Sequence, residues 1–142
     1  MTIRQISVFI ENKYGKLSEC LALLGEEKIR IVAIMVSDTS EFGILRLVVT
    51  DPDKAYKVLK NNNVSVSLTD VFAIVTAPLA SNFAHLLQYF TQSGINIEYM
   101  YCCSVEHKSV LILRTYNYEA ACDVIRRYNL EYVSENDLIN LQ

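Results

Sequence analysis

Apolar and polar residues alternate over residues 2–10, with Ile6, Val8 and Ile10 on one side, and this predicts a strand. The spacing then changes. Leu17, Cys20, Leu21 and Leu24 recur at helical intervals and predict an amphipathic helix over 16–27. Residues 30–37 read as a strand apolar on both faces, with Ile31, Ala33 and Met35 on one and Val32, Ile34 and Val36 on the other. A turn at Asp38-Thr39-Ser40-Glu41 leads to a third strand over 43–50. Asp51-Pro52 starts a second helix, with Asp at the cap and Pro in the first turn, and Ala55, Val58 and Leu59 form its buried side. Asn61-Asn62-Asn63 stops that helix, and 64–68 is a short fourth strand.

The same order then returns. Strands are predicted over 70–76, 95–103, 108–115 and 130–133, and helices over 80–93 and 117–128. The register between the halves is constant: Ile31 matches Ile97, Leu45 matches Leu111, Ala55 matches Ala121, Val58 matches Val124 and Asn63 matches Asn129, each pair 66 residues apart. Two copies of one β-α-β-β-α-β unit explain this better than a solenoid, which needs at least three. The expectation is an α+β protein of two ferredoxin-like βαββαβ units side by side, residues 1–68 and 69–142. Right-handed crossovers put the helices of each unit on one face of its antiparallel sheet. Ser134-Glu135-Asn136-Asp137 reads as a cap for a short terminal helical turn, with a strand as the alternative.

The helix-free faces do not read as wet surfaces. Val71, Ala73 and Val75 alternate with Phe72 and Ile74, so both faces of that strand want cover, and stacking on a second copy to give a homodimer is the expectation. The linker Leu68-Thr69-Asp70 is short enough for strands to be exchanged between the units.

With 142 residues and 51% hydrophobic content, the chain can bury one ordinary core or two small ones. No apolar run is long enough to span a bilayer, and the start of the chain shows no signal-peptide pattern, so no membrane role and a cytoplasmic location are expected. A net charge of −3 and a pI near 5.4 argue against nucleic acid as a partner. Cys20 and Cys122 fall within apolar helical patterns, while Cys102 and Cys103 are strand neighbours pointing to opposite faces. No CxxC pair is present, and neither His85 nor His107 completes a zinc set. Buried free thiols and no metal or cofactor are expected.

The corner Glu11-Asn12-Lys13-Tyr14-Gly15-Lys16-Leu17, between the first strand and helix, carries the candidate chemistry. Main-chain N–H groups at a helix start lack partners within the helix, and the dipole there attracts a carboxylate. Gly15 permits close approach of the backbone, and Asn12 offers both an amide donor and an acceptor.

This corner resembles that of ACT domains, often written D-x-P-G-x-L. Ser93-Gly94-Ile95-Asn96-Ile97-Glu98-Tyr99 resembles the start of their second strand, and the stretch from Ser37 to Leu47 with Asp51-Pro52-Asp53-Lys54-Ala55 resembles small proteins made of two ACT domains. The resemblance covers the whole chain. It implies a non-catalytic regulatory module that binds a free amino acid in a groove between its two ACT domains and passes the signal to a separate metabolic enzyme. It further implies Asn12 and Asn96 as the two amides holding the ligand. Lys13, Tyr14, Gly15, Lys16 and Leu17 complete the first half of that site, and Ile95, Ile97 and Glu98 the second. A regulatory subunit acting by protein contact alone, with no retained ligand, is the other implied reading.

The two halves depart unequally from the family pattern. Pro78 stands where Asn12 stands, Ser81 where Gly15 stands and Arg30 where Asn96 stands, so the pseudo-symmetric groove is expected to be weaker, empty or altered in preference. Tyr14 replaces the usual proline of the first corner and leaves φ less fixed there. Catalysis has little support. Arg46 with Asn96 would suit a small phosphatase, yet there is no Ser-His-Asp pattern, no phosphate-cradling loop and no metal set.

Overall fold

A computed structural model describes residues 1–11, 13–38 and 42–141, with only the backbone of Asp38. Among them lie six strands and five helices: β1 (Ile3–Glu11), α1 (Lys16–Glu26), β2 (Ile31–Asp38), β3 (Phe42–Val49), α2 (Pro52–Asn61), β4 (Ser65–Val75), α3 (Ala80–Gln92), β5 (Tyr99–Val105), β6 (Lys108–Arg114), α4 (Tyr118–Arg127) and α5 (Glu135–Ile139). They form two compact units. One is Arg4–Thr69 with the segment from Asn136 onward; the other is Met1–Ile3 with Asp70–Glu135. Each unit thus takes in an end of the chain that belongs by sequence to the other.

In the N-terminal unit the strand order is β2-β3-β1-β4. β1 and β3 are antiparallel, with Val8 opposite Leu45 and Ile6 opposite Leu47, and β2 joins the far side of β3. In the C-terminal unit β5 pairs with β6 and β6 with the second half of β4, with Ile74 opposite Leu111. The expected last strand shrinks to one bridge, Ile74 to Tyr132, flanked by hydrogen bonds from Val75 N–H to Glu131 C=O at 2.8 Å and from Val133 N–H to Ala73 C=O at 2.8 Å. Both units therefore have the ferredoxin-like βαββαβ order.

Two strand boundaries differ from expectation. The strands predicted over 64–68 and 70–76 are one continuous strand, β4, because the linker has no glycine or proline to interrupt extended backbone. β5 begins at Tyr99 rather than Ile95. The Ile95 N–H closes the end of α3 by bonding Phe90 C=O at 2.9 Å, so that residue belongs to the helix terminus.

The repeat is most regular in the cores. Ile6, Val8, Cys20, Leu24, Leu45, Leu47, Ala55 and Leu59 pack together in the N-terminal unit. Their counterparts 66 positions on are Phe72, Ile74, Leu86, Phe90, Leu111, Leu113, Ala121 and Ile125, and they form the C-terminal core. Helix ends repeat as well. Lys28, Asn63, Gly94 and Asn129 each follow a helix with positive φ, at 56°, 61°, 72° and 49°. The next residue in each case, Ile29, Val64, Ile95 and Leu130, donates back to the last turn at 2.9–3.1 Å. This is the left-handed helix stop that asparagine and glycine tolerate best.

Val71 and Ala73, on the helix-free side of β4, are as buried as Phe72 and Ile74 on the helix side. The exposure that motivated a second copy at that point is therefore missing. Among the described residues, the large apolar side chains left exposed on the helix-free face of the N-terminal unit are Phe9 (56%) and Phe42 (48%). No helix among the described residues is long and apolar enough to cross a membrane.

Candidate functional site: the first strand-to-helix corner

β1 delivers Glu11 to the top of the N-terminal unit, and the chain turns through Lys13 and Tyr14 into α1. Gly15 makes the turn possible. It sits at φ 80°, ψ −10°, a left-handed conformation that side chains disfavour, and its carbonyl accepts the Glu19 N–H at 2.9 Å and the Ser18 hydroxyl at 3.1 Å. Among the described residues no side chain caps α1 or α3, whereas Asp51 caps α2 by accepting from Lys54 N–H at 3.2 Å and Asn117 caps α4 by accepting from Ala120 N–H at 3.1 Å. The start of α1 is thus left to other acceptors.

Charge surrounds this corner. Lys13 Nζ lies 2.9 Å from Glu11 Oε2, and that hydrogen bond holds the Glu11 carboxyl below the usual carboxylate range while raising Lys13. Lys16 Nζ lies 3.6 Å from Glu19 Oε2. Tyr14 is fully exposed, and Leu17, expected on the inner stripe of α1, is instead exposed at the first turn. Asn12 lies outside the described residues.

Behind the corner is a cavity of about 320 Å³ within the same unit. The first turn of α1 contributes Lys16 and Glu19 to its wall, the end of α2 contributes Asn62 and Asn63, and Glu11 and Ser65 stand at the strand ends. Cys20, Leu23 and Val64 supply an apolar lining. One helix therefore presents its positive end and another its negative end to the same small space. Sequence reasoning read Asn61-Asn62-Asn63 only as a helix stop and did not place Glu19, Asn62 or Asn63 here. The signal available was the fold order itself, which brings the end of the second helix beside the start of the first.

The other predicted site residues belong to the C-terminal unit. Ile95 is buried in its core and Ile97 packs against that core, so these two side chains serve packing. Asn96 between them is exposed. Glu98 pairs with Arg114, Oε2 to Nε at 3.3 Å, and Arg114 also donates to Asp70 C=O at 2.7 Å. A hydrogen bond to the Glu98 carboxylate raises the Tyr116 phenol pKa.

The second corner is built differently. α3 begins at Ala80, the counterpart of Tyr14, so the helix starts two positions earlier than α1. Leu79 at its N-cap is extended, at φ −115° and ψ 142°, and Ser81, the counterpart of Gly15, lies inside the helix. Pro78 accounts for part of this, since it fixes its own φ and biases Ala77 toward extended backbone.

Of the four cysteines, Cys20 and Cys122 are buried, Cys103 is partly buried and Cys102 is exposed. The last departs from the expectation of buried thiols, because Cys102 lies on β5, which pairs only with β6 in its unit's sheet. Among the described residues no cluster of three or more His, Cys, Asp or Glu side chains has the arrangement of a metal site.

Two ferredoxin-like units in one chain, the first with a left-handed glycine corner, define a class of duplicated α+β folds. The sequence matches the ACT domain pair over residues 1–142, and the chain belongs to that family. It is similar to protein BT0572 from Bacteroides thetaiotaomicron, with 34% identity, a TM-score of 0.90, and coverage of 98% of this chain and 96% of that one. It also shares its fold with the regulatory subunit of aspartate kinase from Thermus thermophilus in a ligand-free form (20% identity, TM-score 0.62, 87% and 91% of the two chains). The same holds for the regulatory subunit of aspartate kinase from Thermus flavus (22% identity, TM-score 0.59, 87% and 90%). No curated protein matches the chain.

Proposed function

We propose that this ACT domain pair, with its domains taken as residues 1–68 and 69–142, is a non-catalytic regulatory module that binds a free amino acid. The observation that carries the reading is the corner at Gly15. A helix start that no side chain among the described residues caps opens beside a cavity of about 320 Å³ whose wall holds carboxylates, a lysine and two amides. A zwitterion fits such a place. Its carboxylate suits the start of α1 and Lys16, and its ammonium suits Glu11, Glu19 and the end of α2. Asn12 and Asn96 are the amides we assign to the ligand on the family resemblance.

Thermal melting against each of the twenty amino acids tests this. A ligand at a hundred times its dissociation constant adds about 2.7 kcal/mol to stability. We expect one or a few amino acids to raise the midpoint, and Asn12→Ala and Asn96→Ala each to remove the shift. Twenty flat titrations would end the amino-acid reading.

A reading through protein contact is favoured by the exposed Phe9 and Phe42, which border an apolar hollow with Ile44. Under it the helix-free face of the N-terminal unit joins two copies in a homodimer or docks a separate metabolic enzyme, and the protein works in the cytoplasm, where free thiols persist. Sedimentation of the wild type against Phe42→Asp tests the first of these. We expect a dimer in the former and a monomer in the latter, and an unchanged sedimentation coefficient rejects that face.

A further inference from the structure

From Ile95 to Glu98 the chain is neither helix nor strand, yet it is fastened at both ends. At the first end Gly94 N–H bonds Thr91 C=O at 3.0 Å and Ile95 N–H bonds Phe90 C=O at 2.9 Å. Ile95 is buried and Ile97 packs on the same core, which leaves Asn96 between them exposed. At the other end Glu98 N–H donates to Arg114 C=O at 2.9 Å while Tyr99 is the register partner of Arg114, so two residues stand opposite one. A bulge of this kind re-aims the side chains beside it.

An ion pair closes the bulge. Arg114 Nε lies 3.3 Å from Glu98 Oε2, and a second guanidinium N–H donates to Asp70 C=O at 2.7 Å. The guanidinium also lies 5.8 Å from the centroid of the Tyr116 ring, whose phenol bonds the Glu98 carboxylate. Only 27% of the Arg114 side chain and 25% of the Glu98 side chain are exposed, so salt screens this pair less than one fully in water. Comparison of the halves separates its role from folding. The N-terminal unit has the same irregularity, a register shift between Ile31 and Ala33 around Val32. There Val32, Val48 and Thr50 stand where Glu98, Arg114 and Tyr116 stand, and Arg30 stands where Asn96 stands, each 66 positions earlier. The fold therefore makes this irregularity without an ion pair, and the ion pair accompanies Asn96.

We propose that Arg114, Glu98 and Tyr116 are positioning residues that fix the segment from Ile95 to Glu98 so that the Asn96 side chain is held ready for an amino-acid ligand. This rests on the assignment of Asn96 made above. A side chain fixed in advance loses less freedom on binding, so affinity rises without a new contact. Glu98 acts through Asn96, because its carboxylate is engaged by the guanidinium and the phenol.

The test titrates each of the twenty amino acids singly, by calorimetry, into the wild type, Arg114→Gln, Arg114→Lys and Tyr116→Phe. For the amino acid that the wild type binds most tightly, Arg114→Gln should weaken binding about tenfold and Tyr116→Phe about threefold. Arg114→Lys keeps the charge without the planar fork and should fall between the wild type and Arg114→Gln. Relaxation of the Asn96 main-chain N–H in the unliganded proteins should give an order parameter near 0.85 in the wild type and below about 0.6 in Arg114→Gln. The melting midpoint should move by no more than about 4 °C, since a partly exposed ion pair adds little stability. Equal affinities in the wild type and Arg114→Gln, unchanged order at Asn96, or an affinity loss that merely follows a falling midpoint would each overturn the positioning role alone. Twenty flat titrations of the wild type would end it together with the amino-acid reading. Should Arg114→Gln fail to fold, Tyr116→Phe decides, and equal affinity and order in that variant overturn the proposal.

Discussion

Two glycines of α1 should respond to alanine in opposite directions. Gly15 sits at φ 80° before the helix, and Gly25 lies in its last turn with nothing within 4 Å of the point a Cβ would occupy. At Gly15 the nearest atom to such a Cβ is Glu19 Oε1 at 3.8 Å, an ordinary contact on a flexible side chain, so the penalty is conformational rather than steric. Left-handed backbone costs a non-glycine residue about 1–2 kcal/mol. Loss of freedom in the unfolded chain returns about 0.4–1 kcal/mol. Gly15→Ala should therefore destabilise by about 1 kcal/mol on balance. Gly25→Ala gains helix propensity with no clash, and should stabilise by about 0.5–1 kcal/mol. In a chain of this size these become midpoint shifts of roughly 4 °C downward and 2–4 °C upward. Urea unfolding followed by circular dichroism, with the slope held constant, measures both free energies. Were Gly15→Ala neutral or stabilising, the chain would not turn left-handed there, and the open helix start on which the amino-acid reading rests would be lost.

The helix stops permit a paired exchange: Lys28→Gly should stabilise and Gly94→Lys destabilise, each by about 1 kcal/mol in urea unfolding, because both positions are left-handed and only one holds glycine. Equal signs for the two would contradict that geometry. Thiol labelling of the native protein at pH 8 should modify Cys102 rapidly and leave the buried Cys20 and Cys122 unreacted until unfolding. Burial, with a smaller contribution from Cys102, pushes the Cys103 thiol up to about 11 from 9.0. The folded state thus favours the neutral thiol. Its contribution is complete below pH 9 and lost as pH rises toward 11, so stability should fall across that window, and Cys103→Ala should flatten the fall.

What the sequence made legible was whatever the two halves share. Core positions must fill the same space in both units, so Leu45 and Leu111 or Ala55 and Ala121 recur in register, and fold order followed from them. Strand limits were harder to see. Hydrophobic alternation through Leu68 and Val71 cannot tell two strands from one continuous β4, and Ile95 looks like strand although its N–H is committed to closing α3. On the helix-free face, alternation says that Val71 and Ala73 need cover, and both are buried, but nothing in it says what provides that cover.

The site was legible only where the halves differ, since a duplicated core constrains both copies while a binding corner need persist in one. Gly15 against Ser81 marks the difference, and its consequence is concrete: α1 starts late from a left-handed residue, and α3 starts two positions earlier from an extended Leu79. Arg30 against Asn96 marks it again, with Arg30 engaged by the chain's own Leu141. The C-terminal segment escapes any reading by periodicity, because five residues with one buried leucine carry too little pattern to say which unit they join. One of its partners, the Arg30 guanidinium, lies far away in sequence. Duplication therefore frees each copy to diverge at its ends while the interior stays fixed, and in this chain the divergence leaves one corner open and one strand start covered.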